Sequence, residues 1–198
     1  MDHHLTQLRT YLNGLMKLDV AEFSQLVPKV QLKKVKKGDR ILEAGNRCEN
    51  LYFICDGLFR VYHLKSDTEV NTCFCGEDEI TCSFESFTRS TVSNDFIEAI
   101  EDSTVLAISS TSLAELSEKN PVWDELRRVF TDLECIRLSN RVDTLSFSTA
   151  QDKYASLMNN QKELIQRVPV QHLASYLGIS RETLSRIRSK QSSARLIM

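Results

Sequence analysis

The sequence lacks the features that mark a membrane protein, an exported protein or a common enzyme. No apolar run approaches the roughly 20 residues that a membrane-spanning helix requires, and residues 1–10 contain no apolar stretch of the kind found in signal peptides. A nucleophile elbow, a glycine-lysine phosphate loop and a His-Glu metal helix are also missing. We therefore expect a cytoplasmic protein with no membrane partner, no catalytic residues, and neither a metal nor another cofactor.

The chain does have the composition of an ordinary globular protein. Its 198 residues are 41% hydrophobic and 26% charged, which allows one sizeable core or two smaller ones. The net charge of −2 conceals an asymmetry. Residues 67–102 carry ten acidic side chains and one basic one, whereas residues 181–195 carry five basic side chains and one acidic one. The second segment should attract a polyanion and the first should repel it, so we expect DNA to bind at the C-terminal end.

The period of the hydrophobic pattern changes along the chain. Residues 5–27 show helical spacing, interrupted near Gly14 and ended by Pro28, and predict two short helices. From residue 30 to about 110 the period is two, and turn signals recur about every eight to twelve residues. This spacing predicts an antiparallel sandwich or barrel. The clearest strand candidates are 58–64, 70–74, 95–100 and 105–109.

The helical period returns from residue 112. Asn120 and Pro121 predict a helix start, with Asn as N-cap and Pro at the first helical position. Apolar residues then recur at spacings of four and three, a heptad seam ending in a polar residue that can fix register. We predict that the seam forms a homodimer interface: Val122, Leu126, Val129, Leu133, Ile136 and Asn140. The alternative is a helix that packs on its own domain, and one helix can do both. The second apolar face that would pack in this way consists of Trp123, Phe130, Leu138, Val142 and Leu145.

Residues 170–189 have the pattern of a helix-turn-helix. Apolar residues stand where two crossed helices would bury them: Leu173, Leu177, Ile179, Leu184 and Ile187. Ala174 is small where the second helix crosses, and Gly178 falls at the turn, where a left-handed backbone is cheap only for glycine. Ser180 can cap the second helix. These features lie within twenty residues, which favours a helix-turn-helix over an ordinary helical hairpin.

The second helix of this motif would enter the major groove of double-stranded DNA. Arginine can bind guanine with two hydrogen bonds, and glutamate can accept one from the cytosine amino group. The residues that would face the groove and read bases are Arg181, Glu182, Ser185 and Arg186. The other predicted DNA contacts are Ser180, Thr183, Arg188 and Lys190. Of these, Arg188 and Lys190 would bind phosphates, which gives affinity without specificity.

Residues 15–190 resemble the Crp-Fnr family of bacterial regulators. The resemblance rests on a LysLysGlyAsp turn at Gly38, a GluAlaGlyAsn turn at Gly45, the run LeuTyrPheIleCysAspGlyLeuPheArgValTyr through Gly57, and IleGluAlaIleGluAspSer from Ile97. In the C-terminal region it rests on LeuGlyIleSerArgGluThrLeuSerArgIle. This segment fits both of the family's base-reading patterns: ArgGlu followed four residues later by Arg, and Glu followed three residues later by Ser and then Arg.

The resemblance implies an α+β fold in three parts. An N-terminal antiparallel β-roll of the cyclic-nucleotide-binding type (a double-stranded β-helix or jelly roll) would occupy residues 1–118. A long dimerisation helix would follow at 119–146 and a C-terminal winged helix-turn-helix at 147–198. The implied function is transcription regulation by a homodimer on a near-palindromic operator containing a GA step, with RNA polymerase as a further partner.

The sensor domain departs from the family's cyclic-nucleotide binders. These use GlyGlu and an aliphatic residue, followed by an arginine that binds the cyclic phosphate. Gly76 and Glu77 match the first part, but Asp78 follows them; Ser93 holds the phosphate-binding position, and Arg89 lies four residues too early. These departures argue against cAMP. We expect an unidentified small-molecule effector or none, and take Gly76, Glu77, Arg89 and Ser93 as the ligand-binding candidates.

Two further questions concern the thiols and the overall function. Cys73 and Cys75 alternate onto one strand face, with Cys55 and Cys82 as further members of a conceivable metal or redox site, but we expect buried, reduced, apolar thiols. His63 and His172 are likewise expected to be packing or surface residues. The alternative function is a module that binds a cyclic nucleotide or another small molecule and signals through protein contacts, its helix-turn-helix being vestigial. The basic second helix argues against that alternative.

Overall fold

The computed structural model describes residues 1–195, apart from the side chains of Phe147 and of residues 191–195. The helices are α1 Asp2–Leu15, α2 Val20–Leu26, α3 Phe84–Arg89, α4 Ser110–Lys119, α5 Val122–Phe147, α6 Ala150–Asn160, α7 Lys162–Arg167, α8 Val170–Leu177 and α9 Arg181–Arg195, with a 3-10 turn at Val27–Lys29. The strands are β1 Val30–Val35, β2 Arg40–Leu42, β3 Asn50–Asp56, β4 Phe59–Lys65, β5 Thr68–Cys75, β6 Ile80–Thr81, β7 Asp95–Ala99 and β8 Ser103–Ser109.

The strands form two four-stranded antiparallel sheets. The first sheet has the order β1-β8-β3-β6 and the second has the order β2-β7-β4-β5. Inward-facing side chains of both sheets, among them Ile54 and Val105 of the first and Phe59 and Ile97 of the second, are fully buried in one cluster. The predicted antiparallel sandwich and the α+β class are therefore confirmed.

The turn between β3 and β4 explains why a glycine stands at position 57. Gly57 has a φ of +102°, and a Cβ atom added there would lie 2.0 Å from Ser103 Oγ. Only glycine combines this backbone conformation with so close an approach of β8. The turn at Gly57 thus fixes how the two sheets connect.

The outer face of the first sheet is covered by helices α1, α2 and α4 and by the first turns of α5. Leu12 of α1, Phe23 of α2, Leu116 of α4 and Trp123 of α5 pack there against Phe53 and other sheet residues. The two predicted N-terminal helices are present and belong to this layer. The contacts between these buried side chains attach the start of α5 to the first sheet.

Helix α5 begins at Val122, one residue later than the sequence pattern predicts. The predicted capping contact is nevertheless present, because Asn120 Oδ1 accepts a hydrogen bond from the backbone N–H of Val122 at 3.1 Å. Trp123 is buried in the protein's own core, whereas Leu133 and Ile136 are 44% and 57% exposed. Packing on its own domain therefore accounts only for the first half of the helix.

Helices α6 to α9 form a second core. It is continuous with the part of the chain that contains strands β1 to β8, called here the β-strand unit. Leu173 and Leu177 of α8 and Leu184 of α9 are buried together with Leu58 and Phe74 of the β-strand unit. Helix α9 ends at Arg195, the last residue that the structure describes, so the predicted wing lies outside the described residues. None of the helices in the described part of the chain is long and apolar enough to cross a membrane.

Candidate functional site

Helix α9 separates its apolar and polar residues onto opposite faces. Leu184 is fully buried and Ile187 is 7% exposed. The four residues predicted to read bases are all exposed: Arg181, Glu182, Ser185 and Arg186. Because they stand at positions i, i+1, i+4 and i+5, they cover one continuous patch near the start of the helix.

The start of α9 has the local structure that the sequence predicts. Gly178 has a left-handed φ of +65°, and Ser180 Oγ accepts a hydrogen bond from the backbone N–H of Thr183 at 3.1 Å. The pKa of Glu182 is lowered, first by its own backbone N–H and then by the Ser180 hydroxyl. Glu182 is therefore an ionised hydrogen-bond acceptor at the exposed end of the helix.

The residues predicted to bind phosphates differ in their surroundings. Lys190 is exposed, as phosphate binding requires. Arg188 is half-buried and its guanidinium donates a hydrogen bond to the carbonyl oxygen of Ile165 at 3.2 Å, so it connects α9 to α7. The side chain of Arg195, which belongs to the basic segment, lies outside the described residues.

Helix α8 is docked on β5, the edge strand of the second sheet. Ser175 Oγ accepts a hydrogen bond from the backbone N–H of Asn71 at 3.0 Å and donates one to the carbonyl oxygen of Glu69 at 2.8 Å. These bonds satisfy backbone groups that an edge strand would otherwise expose. Tyr176 of the same helix packs edge-on against Phe74, with 5.2 Å between the ring centroids.

A buried arginine lies under this contact. Arg60 of β4 is 3% exposed, pairs with Glu98 at 3.0 Å and with Glu69 at 2.5 Å, and its Nη1 lies 3.1 Å from Nδ1 of His172 on α8. Since arginine can only donate, His172 Nδ1 must accept and carries no proton. Burial lowers the pKa of His172, and the charge of Arg60 lowers it further. His172 is thus a packing residue, as expected, and its partner is 112 residues away.

An ion-pair cluster joins α7 to the β-strand unit. Arg167 binds Glu77 at 2.7 Å and also pairs with Glu101. Glu77 accepts a further hydrogen bond from the backbone N–H of Gly57 at 2.9 Å. The hydrogen bond from Arg167 is the main cause that lowers the pKa of Glu77 to about 2. Glu77 therefore holds the two units together in this structure.

The four predicted ligand-binding residues have different surroundings. Gly76 and Glu77 lie in the turn between β5 and β6, Arg89 is exposed and pairs with Glu85 at 3.7 Å, and Ser93 is 3% exposed. Glu77 pairs with Arg167, a residue that sequence spacing could not connect with it. Their individual roles toward a ligand stay a prediction.

Ser93, at the position where a cyclic-nucleotide binder holds its phosphate-binding arginine, belongs to a closed hydrogen-bond network. Its hydroxyl donates to Ser83 Oγ at 2.8 Å, and Ser83 donates to the Asp95 carboxylate at 2.7 Å. Sequence reasoning missed Ser83, which carries no motif of its own. A network that ends in a carboxylate offers an anion no positive partner.

A separate cavity of about 510 Å³ lies on the outer face of the first sheet, beneath α1 and beside the start of α5. Apolar side chains line most of it, including Leu12, Phe53, Phe130 and Trp123. Trp123 is 3% exposed, and its Nε1 has no hydrogen-bond partner among the described residues. The cavity could hold an apolar molecule that brings a hydrogen-bond acceptor.

Known proteins resemble this chain in part of its sequence and in its fold. Residues 32–120 match the family model of the cyclic nucleotide-binding domain. No curated protein sequence shows significant similarity to the chain.

Several solved structures superpose over most of the chain. FixK2 from Bradyrhizobium japonicum has a TM-score of 0.71 and 20% identity, covering 83% of this chain and 85% of that one. The c-di-GMP responsive global regulator CLP of Xanthomonas campestris has a TM-score of 0.71 and 17% identity, covering 90% and 94%. A protein of Eubacterium rectale assigned to the crp/fnr family has a TM-score of 0.67 and 18% identity, covering 89% and 85%. Residues 32–120 are therefore similar to a cyclic nucleotide-binding domain, and the chain shares its overall fold with regulators of the Crp/Fnr type.

Proposed function

We propose that the protein is a cytoplasmic, DNA-binding transcription regulator of the Crp-Fnr type, with α8 and α9 as its helix-turn-helix. The observation that carries the proposal is the face of α9 that presents Arg181, Glu182, Ser185 and Arg186 to solvent while Leu184 is buried. The likeness in fold to known regulators supports it.

The exposed patch suits a major groove. Arg181 and Arg186 can each bind O6 and N7 of guanine, and Glu182 can accept from the cytosine amino group. An acidic side chain in a polyanion interface is costly unless it reads a base. The ionised state of Glu182 and its exposed position fit that role.

The exposed part of α5 supports a homodimer. Leu133 and Ile136 present an apolar surface that needs a partner, and Asn140 continues the same stripe. The 4-3-4-3 spacing from Val122 places Leu126, Leu133 and Asn140 at a positions, and leucine at a with branched residues at d tends toward higher oligomers. The dimer assignment therefore rests on Asn140, because asparagine at an a position specifies the oligomeric state. Such a dimer would place two α9 helices about 34 Å apart, one DNA turn.

We propose that the effector is a molecule other than cAMP. The interior between the sheets is filled with core side chains, and the network around Ser93 offers no cation to a phosphate. An apolar effector would fit the cavity beside Trp123 and would shift α5 from there. We propose residues 145–147, at the end of α5, as the hinge that passes this shift to α9. Because Trp123 is the only tryptophan, a fluorescence titration tests this directly: cAMP should leave the emission unchanged, and an effector in the cavity should shift it.

The deciding experiment is binding-site selection from random DNA, followed by gel shifts of the full chain and of Arg186→Ala. We expect a near-palindromic site, and a loss of about 1 to 3 kcal/mol for the variant with relaxed preference at one base position. Arg47→Ala, which changes an exposed arginine between β2 and β3, is the matched control and should bind as the wild type does.

The alternative function predicts a different result. A module that signals only through protein contacts would show no sequence preference, and any retention of DNA would be weak and equal for all fragments. The protein should retain one selected DNA fragment at two salt concentrations, and an excess of the same unlabelled fragment should abolish this retention. That result would exclude a module that signals only through protein contacts. An unchanged sequence preference in Arg186→Ala would remove the role given to Arg186.

A further inference from the structure

Two cysteine thiols face each other on β5, inside the contact between the β-strand unit and α5. Cys73 and Cys75 pair with Val61 and Phe59 of β4, so their side chains emerge on the same face of the strand. Their Sγ atoms are 3.3 Å apart. Cys75 is buried, whereas Cys73 is only partly buried. Part of Cys73 is open to solvent, so a small solute would enter on that side of the pair.

A cation from α5 completes the arrangement. Arg137 Nη1 donates a hydrogen bond to Cys73 Sγ at 3.4 Å, and Glu134 holds the guanidinium through hydrogen bonds of 2.7 and 3.0 Å. The hydrogen bond from Cys75 lowers the pKa of Cys73, and the charge of Arg137 acts in the same direction against burial and the carboxylates of Glu79 and Glu134. The pKa of Cys75 is raised, because its proton is held in the bond to Cys73.

The other described thiols lack this environment. Burial raises the pKa of Cys48, of Cys55 (to about 11) and of Cys82. Cys135 is exposed on α5. Reactivity toward oxidants follows thiolate character and access together. Among the described residues, only Cys73 combines an arginine contact, a neighbouring thiol and partial exposure.

We propose that Cys73 is an oxidation site for hydrogen peroxide or a small organic hydroperoxide, with Cys75 as the resolving thiol. The Cys73 thiolate attacks one peroxide oxygen and the O–O bond breaks, which gives the Cys73 sulfenic acid and a hydroxide or alkoxide. That anion takes the proton of Cys75. The Cys75 thiolate then attacks Cys73 Sγ, the S–O bond breaks, and the leaving hydroxide takes a proton from solvent. Two thiol sulfurs have lost two electrons, and the peroxide has accepted them.

The disulfide would disturb the elements that hold α8 and α9. Its sulfur atoms must approach from 3.3 Å to about 2.05 Å, and residues two apart on an extended strand have Cα atoms roughly 6.6 Å apart, near the upper limit for a disulfide. Strand β5 must therefore bend, and it also carries the contacts of Ser175. Oxidation also removes the anion that Arg137 contacts. We expect these changes to alter the DNA affinity, and this expectation rests on the proposed function. The thiol chemistry does not depend on it.

The test exposes the full chain, reduced beforehand, to one to five equivalents of hydrogen peroxide. We expect a mass loss of two hydrogens and a Cys73–Cys75 peptide in the map. In Cys75→Ser, dimedone should trap a sulfenic acid at Cys73. Arg137→Gln should slow the oxidation severalfold, and Arg137→Lys should restore part of the rate. Cys135→Ser is the control and should oxidise at the wild-type rate.

Oxidation that begins at Cys135, or that proceeds equally fast in Cys73→Ser, would overturn the proposal. An unchanged rate in Arg137→Gln would remove the role of the arginine even if Cys73 reacts. A disulfide that forms in a protein with no DNA affinity would leave this site standing and refute the proposed function instead. Circular dichroism of each variant verifies that it is folded.

Discussion

Among single residues, Gly178 is the one on which the turn between α8 and α9 depends most. Its φ is +65°, and a Cβ atom there would lie 3.4 Å from Leu145 Cδ2. Gly178→Ala should cost about 1 to 2 kcal/mol, because residues with a Cβ are disfavoured in the left-handed region. Thermal unfolding followed by circular dichroism should show a midpoint lower by about 2 to 8 °C.

Gly14→Ala is the matched control for that substitution. Gly14 lies in α1, where an added Cβ meets nothing within 4 Å. Alanine favours a helix more than glycine does, so this variant should be as stable as the wild type or slightly more stable. Equal midpoints for Gly178→Ala and the wild type would mean that the turn tolerates a side chain.

Among the elements, the second half of α5 makes the clearest prediction. Ile136→Glu places a charge in the middle of the exposed apolar stripe and should convert a dimer into a monomer, measured by light scattering after gel filtration. Arg127→Gln is the control, since nine residues at 100° each place it on the opposite side of the helix. A wild-type chain that is already monomeric at micromolar concentration would contradict the dimer, and a tetramer would mean that Asn140 does not specify two strands.

The contact between α7 and the β-strand unit makes a prediction about pH. Because the pKa of Glu77 falls from 4.5 to about 2 on folding, its ion pair with Arg167 stabilises the protein fully above pH 4.5 and loses this effect as the pH falls toward 2. Glu77→Gln should thus melt below the wild type at pH 6, and the difference should shrink at pH 3. Glu85→Gln, which removes one partner of an exposed ion pair, is the control. Its melting temperature should not differ from the wild type in this pH-dependent way. A constant difference for Glu77→Gln would speak against the ion pair.

The elements themselves could be predicted from sequence, whereas their docking could not. Alternation and turn residues gave strands at 58–64, 70–74, 95–100 and 105–109, close to β4, β5, β7 and β8, because these signals are local. The bond between Ser175 and Asn71 spans 104 residues and that between Arg60 and His172 spans 112. No periodicity encodes such pairs, and the pairing of Glu77 with the distant Arg167 could not be predicted for the same reason.

For the whole molecule, the uneven charge distribution decides where a polyanion can lie. The net charge is only −2, but the strand-rich segment 67–102 is acidic and α9 is basic. Specific DNA affinity should therefore fall as salt rises, with a slope set by the number of phosphates that lysine and arginine neutralise. The exposed Lys190 is predicted to neutralise one phosphate in each half of a dimer. Lys190→Gln should therefore reduce the slope of log K against log salt by about 2.

Lys36→Gln is the control for this measurement. Lys36 is also an exposed lysine, with 78% of its side chain accessible, but it stands on the β-strand unit and pairs with Asp102. Its replacement should leave the slope unchanged, because its ammonium pairs with the Asp102 carboxylate at 2.9 Å and lies on the β-strand unit rather than on α9. The measurement is fluorescence anisotropy of one labelled operator over a salt series, with the sequence preference checked in parallel. A slope that drops for Lys36→Gln and stays the same for Lys190→Gln would mean that DNA runs over the sheets, and that α9 faces away from it.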